Sequence, residues 1–350
     1  MRILLLGGSG LLSGAAREAL LAAGHDVTVL SRGERALGEA PRLVHVRADR
    51  REEAALAGVL GRERFDFTAD FLAYDAPDVT RLLSVTGFSP GRIVMISSGQ
   101  VYLVGAAPHP PSCEADGDQP LSPEPEPGTR DHDEWRYGVA KRAAEAALRF
   151  GAGARGIPAL ALRLPVVQGE ADGSNSRRLW AWIERLRDGG SVLLPEAGVQ
   201  RVRFVYAADV AAALVTLAER KTWPTQPALN LAQPDECTLR EFLVLLGELV
   251  GQVAELAGAP EHRNRFVSVS EQALMSAGLA DTCAPYWGRW CSRPDPSAAL
   301  EYGLATRKLA DYLPGVVRAH IERSSVHSHP GYARRADELA LAARLTGRRA

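Results

Sequence analysis

The residues best suited to chemistry are a tyrosine and a lysine in "WRYGVAKRAAEAAL", residues 135–148. On a helix, Tyr137 and Lys141 stand four positions apart and share one face. A nearby ammonium lowers the pKa of a phenol. The pair therefore predicts a tyrosine that gives or takes a proton near neutral pH at a carbon that also exchanges a hydride. Ser98, closing the apolar run "VMISS", supplies a hydroxyl that can bind the substrate oxygen and hold it beside the phenol.

A second constellation lies at the start of the chain, where the strand-like "RILLL" breaks into "GGSGLLSG", residues 7–14, and a helix-like run follows. A strand, a glycine turn and a helix in that order predict a pyrophosphate site, with backbone amides at the positive end of the helix. Gly7 is expected to make the tight turn and Gly10 to let the backbone approach the phosphates, with Gly8, Ser9, Leu11 and Leu12 around them. Ser13 stands where a third glycine would pack the helix on the strand. The next strand ends in "VTVLSRG", with no Asp or Glu after Leu30. Ser31 and Arg32 offer a hydroxyl and a guanidinium to the extra phosphate of NADP, so NADP is the expected cofactor, with NAD left open.

Positioning these groups requires a scaffold. From Arg2 to about Gly169 nearly continuous apolar strands ("RILLL", "DVTVLS", "RLVHV", "FDFTAD", "RIVMISS", "ALALRLPVV") alternate with helix-length segments. That alternation predicts an α/β fold, a Rossmann-type doubly wound parallel sheet covered by helices, with a smaller C-terminal α/β substrate lobe. The expected division is 1–169 with about 204–232 for the nucleotide domain, about 170–203 and 233–323 for the lobe, and 324–350 for a tail helix. Between Gly105 and Trp135 a proline-rich acidic tract reads as an irregular segment, either a lid over the site or a surface excursion. Trp180, Trp182, Trp287 and Trp290 could line an aromatic pocket or fill a core.

Composition narrows the classes of function. A net charge of −1 gives no footprint for nucleic acid and little attraction to an anionic membrane. No stretch approaches the roughly 20 apolar residues of a membrane span, and a cytoplasmic enzyme is expected. The four cysteines, Cys113, Cys237, Cys283 and Cys291, contain no CxxC pair, and His327 and His329 stand without a third ligand, so no metal is expected. The partner is a small-molecule substrate.

Together these motifs resemble the short-chain dehydrogenase/reductase superfamily and, within it, the extended NAD(P)-dependent epimerase/dehydratase branch. The resemblance runs through the glycine turn, "RADRRE", "FLA", the Ser98 segment, the Tyr137/Lys141 pair, "LRLPVVQG" at 162–169 and "FVYAADVAAA" at 204–213. It implies that Tyr137 is the acid/base, Lys141 its partner and a ribose ligand, and Ser98 the substrate-oxygen ligand. It also places Asp49 near the adenine, Leu72 and Ala73 along the cofactor, and Pro165 near the nicotinamide; a homodimer is left open. Nucleotide-sugar members commonly carry an arginine where this chain has Val202, flanked by Arg201 and Arg203, which argues against a nucleotide-sugar substrate.

Three activities fit this reading. The first is an NADP(H)-dependent oxidoreductase, preferably a reductase, acting at a secondary alcohol or ketone carbon of a sugar-like or natural-product molecule. The second is an epimerase or dehydratase with transient oxidation, which needs a further acid or base; Asp70, Asp75 and the acidic tract are candidates, although each carboxylate is better read as solvated. The third is a non-catalytic NADP-binding protein.

Overall fold

A computed structural model describes residues 1–170, 178–256, 265–280, 287–323 and 332–347. Two compact units divide the chain. The first comprises Met1–Val167, Phe204–Pro234 and Ser292–Arg307; the second comprises Gln168–Arg203, Asp235–Cys291 and Lys308–Ala350.

The first unit is built on six strands that follow the apolar runs of the sequence: β1 (Arg2–Leu6), β2 (Asp26–Ser31), β3 (Leu43–Arg47), β4 (Phe67–Asp70), β5 (Arg92–Ser98) and β6 (Ala159–Leu164). With strand Ala228–Asn230 at one edge they form a seven-stranded sheet in which that strand, β6, β5, β4, β1, β2 and β3 lie side by side. Every pairing in it is parallel. Strands this apolar are stable only with both faces covered, and the alternation of side chains shows how. Ile3, Leu5, Val27, Val29, Phe67 and Val94 face one core with Ala16, Leu20, Val210 and Leu214. Leu4, Leu6 and Leu30 face another with Leu56 and Leu82, while Ile93 and Met95 join Leu148 and Ala152.

Helices α1 (Leu11–Ala22), α2 (Glu53–Leu60), α3 (Ala76–Ser84), α4 (Gln100–Leu103) and α5 (Arg130–Ala154) connect the strands. Strand order reverses between β1 and β4, and at such a switch point the carboxyl ends of the strands open a crevice. Gly7, Ser31, Asp70, Ser98 and Pro165 all stand at those ends.

The proline-rich tract is more ordered than its composition predicts. Helix α5 starts at Arg130, five residues before Trp135, because Thr129 caps it by accepting the His132 N–H at 3.2 Å and Asp131 and Asp133 suit the positive end of its first turn. Upstream, residues Glu114–Asp118 form a 3₁₀ turn. Arg163 donates to the Glu114 carbonyl at 2.7 Å, Asn230 to the Ser112 carbonyl at 3.0 Å, and the Glu114 carboxylate accepts the Asn230 N–H at 2.8 Å. The tract is thus bonded to the ends of the sheet rather than standing off as an excursion.

In the second unit, strand Ser191–Pro195 pairs in parallel with Arg265–Val269. Helices Arg178–Arg187, Leu239–Leu256, Leu309–Glu322 and Arg335–Leu345 accompany the pair. Arg185 and Glu338 form a fully buried ion pair at 2.6 Å, and Arg335 binds Asp188 at 2.6 Å, so the last helix belongs to this core. Trp180 and Trp182 are core residues, 4% and 0% exposed; Trp287 and Trp290 are half-buried. Among the described residues no helix is long and apolar enough to cross a membrane, and Cys113 and Cys237 are free thiols. Cys283, His327 and His329 lie outside the described residues.

Candidate active site

The glycine turn is built as the strand–turn–helix spacing requires. Gly7 has φ +91°, a left-handed conformation that a side chain would strain, and its N–H donates to the Leu30 carbonyl at 2.9 Å. Leu72 lies against the turn, close enough that a Cβ on Gly7 would come within 3.2 Å of its Cγ. Gly10 is the N-cap of α1 and brings no side chain of its own. The first amides of a helix have no acceptor within it and stand at its positive end. A small, amide-lined turn at the carboxyl end of β1 fits the pyrophosphate of a dinucleotide. Ser13 does more than fill the place of a glycine: its Oγ accepts the Gly10 N–H at 3.1 Å and it is buried.

Ser31 and Arg32 occupy the end of β2. The Ser31 hydroxyl is 2.8 Å from His45 Nε2 on β3, and Arg32 is exposed and paired with Glu34 at 3.1 Å. Asp49 is half-buried just beyond β3, and its carboxylate accepts the Arg51 N–H. Pro165 is buried immediately after β6.

Ser98, Tyr137 and Lys141 converge at the ends of β5 and α5. Tyr137 lies close enough to Ser98 for the serine to favour its ionised form, and the Ser98 Oγ accepts the Gln100 N–H at 3.2 Å. Lys141 is 2% exposed; its Nζ donates to the carbonyls of Ala73 at 2.7 Å and Ile96 at 3.0 Å. That ammonium lies 5.0 Å from the centroid of the Tyr74 ring and 5.9 Å from that of Tyr137.

The protonation states correct the reading from spacing alone. Burial pushes the Tyr137 phenol up to about 12; Ser98 opposes the shift, while Tyr74 and Glu134 reinforce it. Lys141 is brought down to about 8 by burial, with Asp70 as the leading opposing charge. The helical spacing places ammonium and phenol on one face, but desolvation dominates both groups, leaving a tyrosine that keeps its proton beside a lysine that can lose one near pH 8.

Asp70 also differs from expectation. Asp70 is 2% exposed and forms a bidentate ion pair with Arg50 at 2.6 and 2.9 Å, and it accepts the Leu72 N–H. Asp75 caps α3 by accepting the Asp78 N–H at 2.9 Å. Asp70 is therefore not a solvated carboxylate, whereas Asp75 is half-buried and keeps partial access to solvent. The sequence gives little sign of Arg50, one of several arginines in "RADRRE", or of Tyr74 and Gln100. Gln100 Nε2 donates to Glu134, which stands one helical turn before Tyr137. Among the described residues no group of three His, Cys, Asp or Glu could hold a metal ion.

A doubly wound sheet with a glycine turn at its first strand and a Ser–Tyr–Lys group at its carboxyl edge defines a nicotinamide-nucleotide-dependent enzyme of the short-chain dehydrogenase/reductase type. Residues 3–232 match the model of the NAD dependent epimerase/dehydratase family, and the chain belongs to that family. It is 31% identical over 222 residues to 2'-dehydrokanamycin reductase of Streptomyces kanamyceticus, a match covering 62% of this chain and 58% of the length of that curated relative. UDP-glucose 4-epimerase of Thermotoga maritima has the same fold, with a TM-score of 0.68 at 17% identity over 93% of this chain and 99% of that one. So does the dTDP-glucose 4,6-dehydratase DesIV of Streptomyces venezuelae, solved with NAD bound, with a TM-score of 0.64 at 21% identity over 92% and 98% of the two chains.

Proposed function

We propose that this enzyme is an NADP(H)-dependent ketone reductase acting at a carbonyl carbon of a sugar-like natural product. The observation that carries the reading is the convergence of the Tyr137 phenol with Ser98 and with Lys141, whose Nζ lies 5.9 Å from the phenol ring centroid. A ketone being reduced needs a proton delivered to its oxygen, and the Tyr137 hydroxyl would be the acid that delivers it. A bound nicotinamide would supply the hydride. Around it, Gly7, Gly8, Ser9, Gly10, Leu11 and Leu12 would hold the pyrophosphate, Ser31 and Arg32 the extra phosphate, and Asp49 the adenine side. Leu72 and Ala73 would lie along the cofactor, Lys141 would bind its ribose and Pro165 would stand near the nicotinamide. Ser98 would orient the substrate oxygen toward the Tyr137 Oη. The reductase relative, an enzyme named for a keto-aminoglycoside, supports a glycosidic natural product as the substrate class.

Dehydration requires another residue to move a proton, and Asp70 and Asp75 are engaged with Arg50 and with the cap of α3. That engagement favours net reduction over dehydration. The experiment is to supply the full chain with NADPH and 2'-dehydrokanamycin as test ketone. Stoichiometric loss of NADPH supports the reductase, and isomerisation or dehydration with no net loss of NADPH would support the second reading.

A further inference from the structure

A second set of polar groups stands beside the end of β2, on β3. Parallel pairing sets Ser31 opposite Arg47. Arg47 lies across the turn that follows β2: a Cβ on Gly33 would meet its Cδ at 2.9 Å and its Cγ and Nε at 3.0 Å. Gly33 has φ +80°, so the turn both needs a glycine and leaves the arginine stem room to cross it. The Arg47 residue is exposed, and among the described residues no carboxylate pairs with it. Arg32, the cation that the sequence singles out, is by contrast engaged with Glu34. Two residues before Arg47 on the same strand, His45 holds the Ser31 hydroxyl at 2.8 Å.

From this arrangement we infer that Arg47 is the main ligand of the 2'-phosphate of NADP, with His45 acting through Ser31 as its positioning residue. The inference rests on the NADP reading proposed above. An arginine fork meets a phosphate with two charge-assisted hydrogen bonds, and one without a carboxylate partner gives up no ion pair to do so. With its proton on Nε2, His45 donates to the Ser31 oxygen and leaves the hydroxyl proton free for a phosphate oxygen. His45 is held below its ordinary pKa by burial and by Arg47, so that near pH 7 the site's cationic charge comes from the arginines.

The test is a set of binding constants on the full chain, read from NADPH and NADH fluorescence and from competition by adenosine 2',5'-bisphosphate and adenosine 5'-phosphate. Arg47→Met is expected to weaken NADPH and the bisphosphate about tenfold to a hundredfold, leaving NADH and the monophosphate unchanged. Unchanged NADH binding also serves as the control for folding. His45→Ala is expected to weaken NADPH severalfold, again without effect on NADH. Two results overturn the assignment alone: a wild type that prefers NADPH and keeps that preference in Arg47→Met but loses it in Arg32→Met, or a variant that loses NADPH and NADH equally. A wild type that binds NADH as tightly as NADPH overturns the NADP reading itself, and this assignment with it.

Discussion

Lys141 donates to the Ala73 carbonyl at 2.7 Å, which ties α5 to the segment leaving β4 and sets the ammonium 5.9 Å from the centroid of the Tyr137 ring. This bond spans 68 residues and joins a predicted catalytic group to a predicted cofactor-lining one. It also explains why the lysine is so buried. An ammonium held by two carbonyls keeps hydrogen bonds but loses water, and its pKa falls to about 8.

That value fixes the pH dependence. The charged form of Lys141 is present below about 8, whereas Tyr137, pushed up to about 12, stays protonated over the working range. The profile of kcat/KM for reduction reports groups of the free enzyme. It should fall on its alkaline side with an apparent pKa of about 8, and rates measured from neutral pH to mildly alkaline pH check this. A profile flat to pH 10 would remove Lys141 from the account.

Asp70 is the leading charge that keeps Lys141 protonated. Asp70→Asn therefore moves the alkaline limb to lower pH, because the lost anion no longer favours the ammonium. The same change removes the bidentate partner of buried Arg50 and leaves it only Asp78, at 3.7 Å, at a cost approaching the ~3–5 kcal/mol of a broken buried pair. Urea denaturation reads the second effect and the pH profile the first; a limb that stays in place would separate Asp70 from Lys141.

The Ser13 hydroxyl fastens the glycine turn through the Gly10 N–H. Losing one such hydrogen bond is worth about 1 kcal/mol, or roughly fivefold in affinity. Ser13→Ala should weaken NADPH and NADH by that same factor, since the pyrophosphate is common to both. Fluorescence titration decides it, and a change confined to one cofactor would contradict the role.

In the second unit, Glu338→Ala leaves Arg185 with its charge buried and its carboxylate gone. The expected loss is about 3–5 kcal/mol of stability, seen as an earlier denaturation midpoint. A midpoint unchanged from wild type would mean that the pair contributes nothing net.

Much of the first unit is legible in the sequence, because apolar runs and glycine breaks are local signals. "RILLLGG" and "RIVMISS" fix strands whose ends carry Gly7 and Ser98, and helical spacing puts Tyr137 and Lys141 on one face. What escapes is decided by tertiary burial. Nothing local distinguishes Arg50, which is buried on Asp70, from exposed Arg51 beside it. The lowered Tyr137 pKa expected from spacing fails for the same reason, since desolvation depends on neighbours brought from β4 and β5. The proline-rich tract misleads because its composition describes an isolated chain, whereas bonds from Arg163 and Asn230 order it.

The central claim is that Tyr137 delivers a proton to a ketone as NADPH is consumed. The most direct test is NADPH oxidation by wild type and Tyr137→Phe with 2'-dehydrokanamycin as test ketone, together with NADPH affinity for each protein. The account predicts stoichiometric oxidation by the wild type and a loss of about a hundredfold to ten-thousandfold in kcat for the variant, with binding retained. A Tyr137→Phe protein that reduces the ketone at the wild-type rate would contradict it.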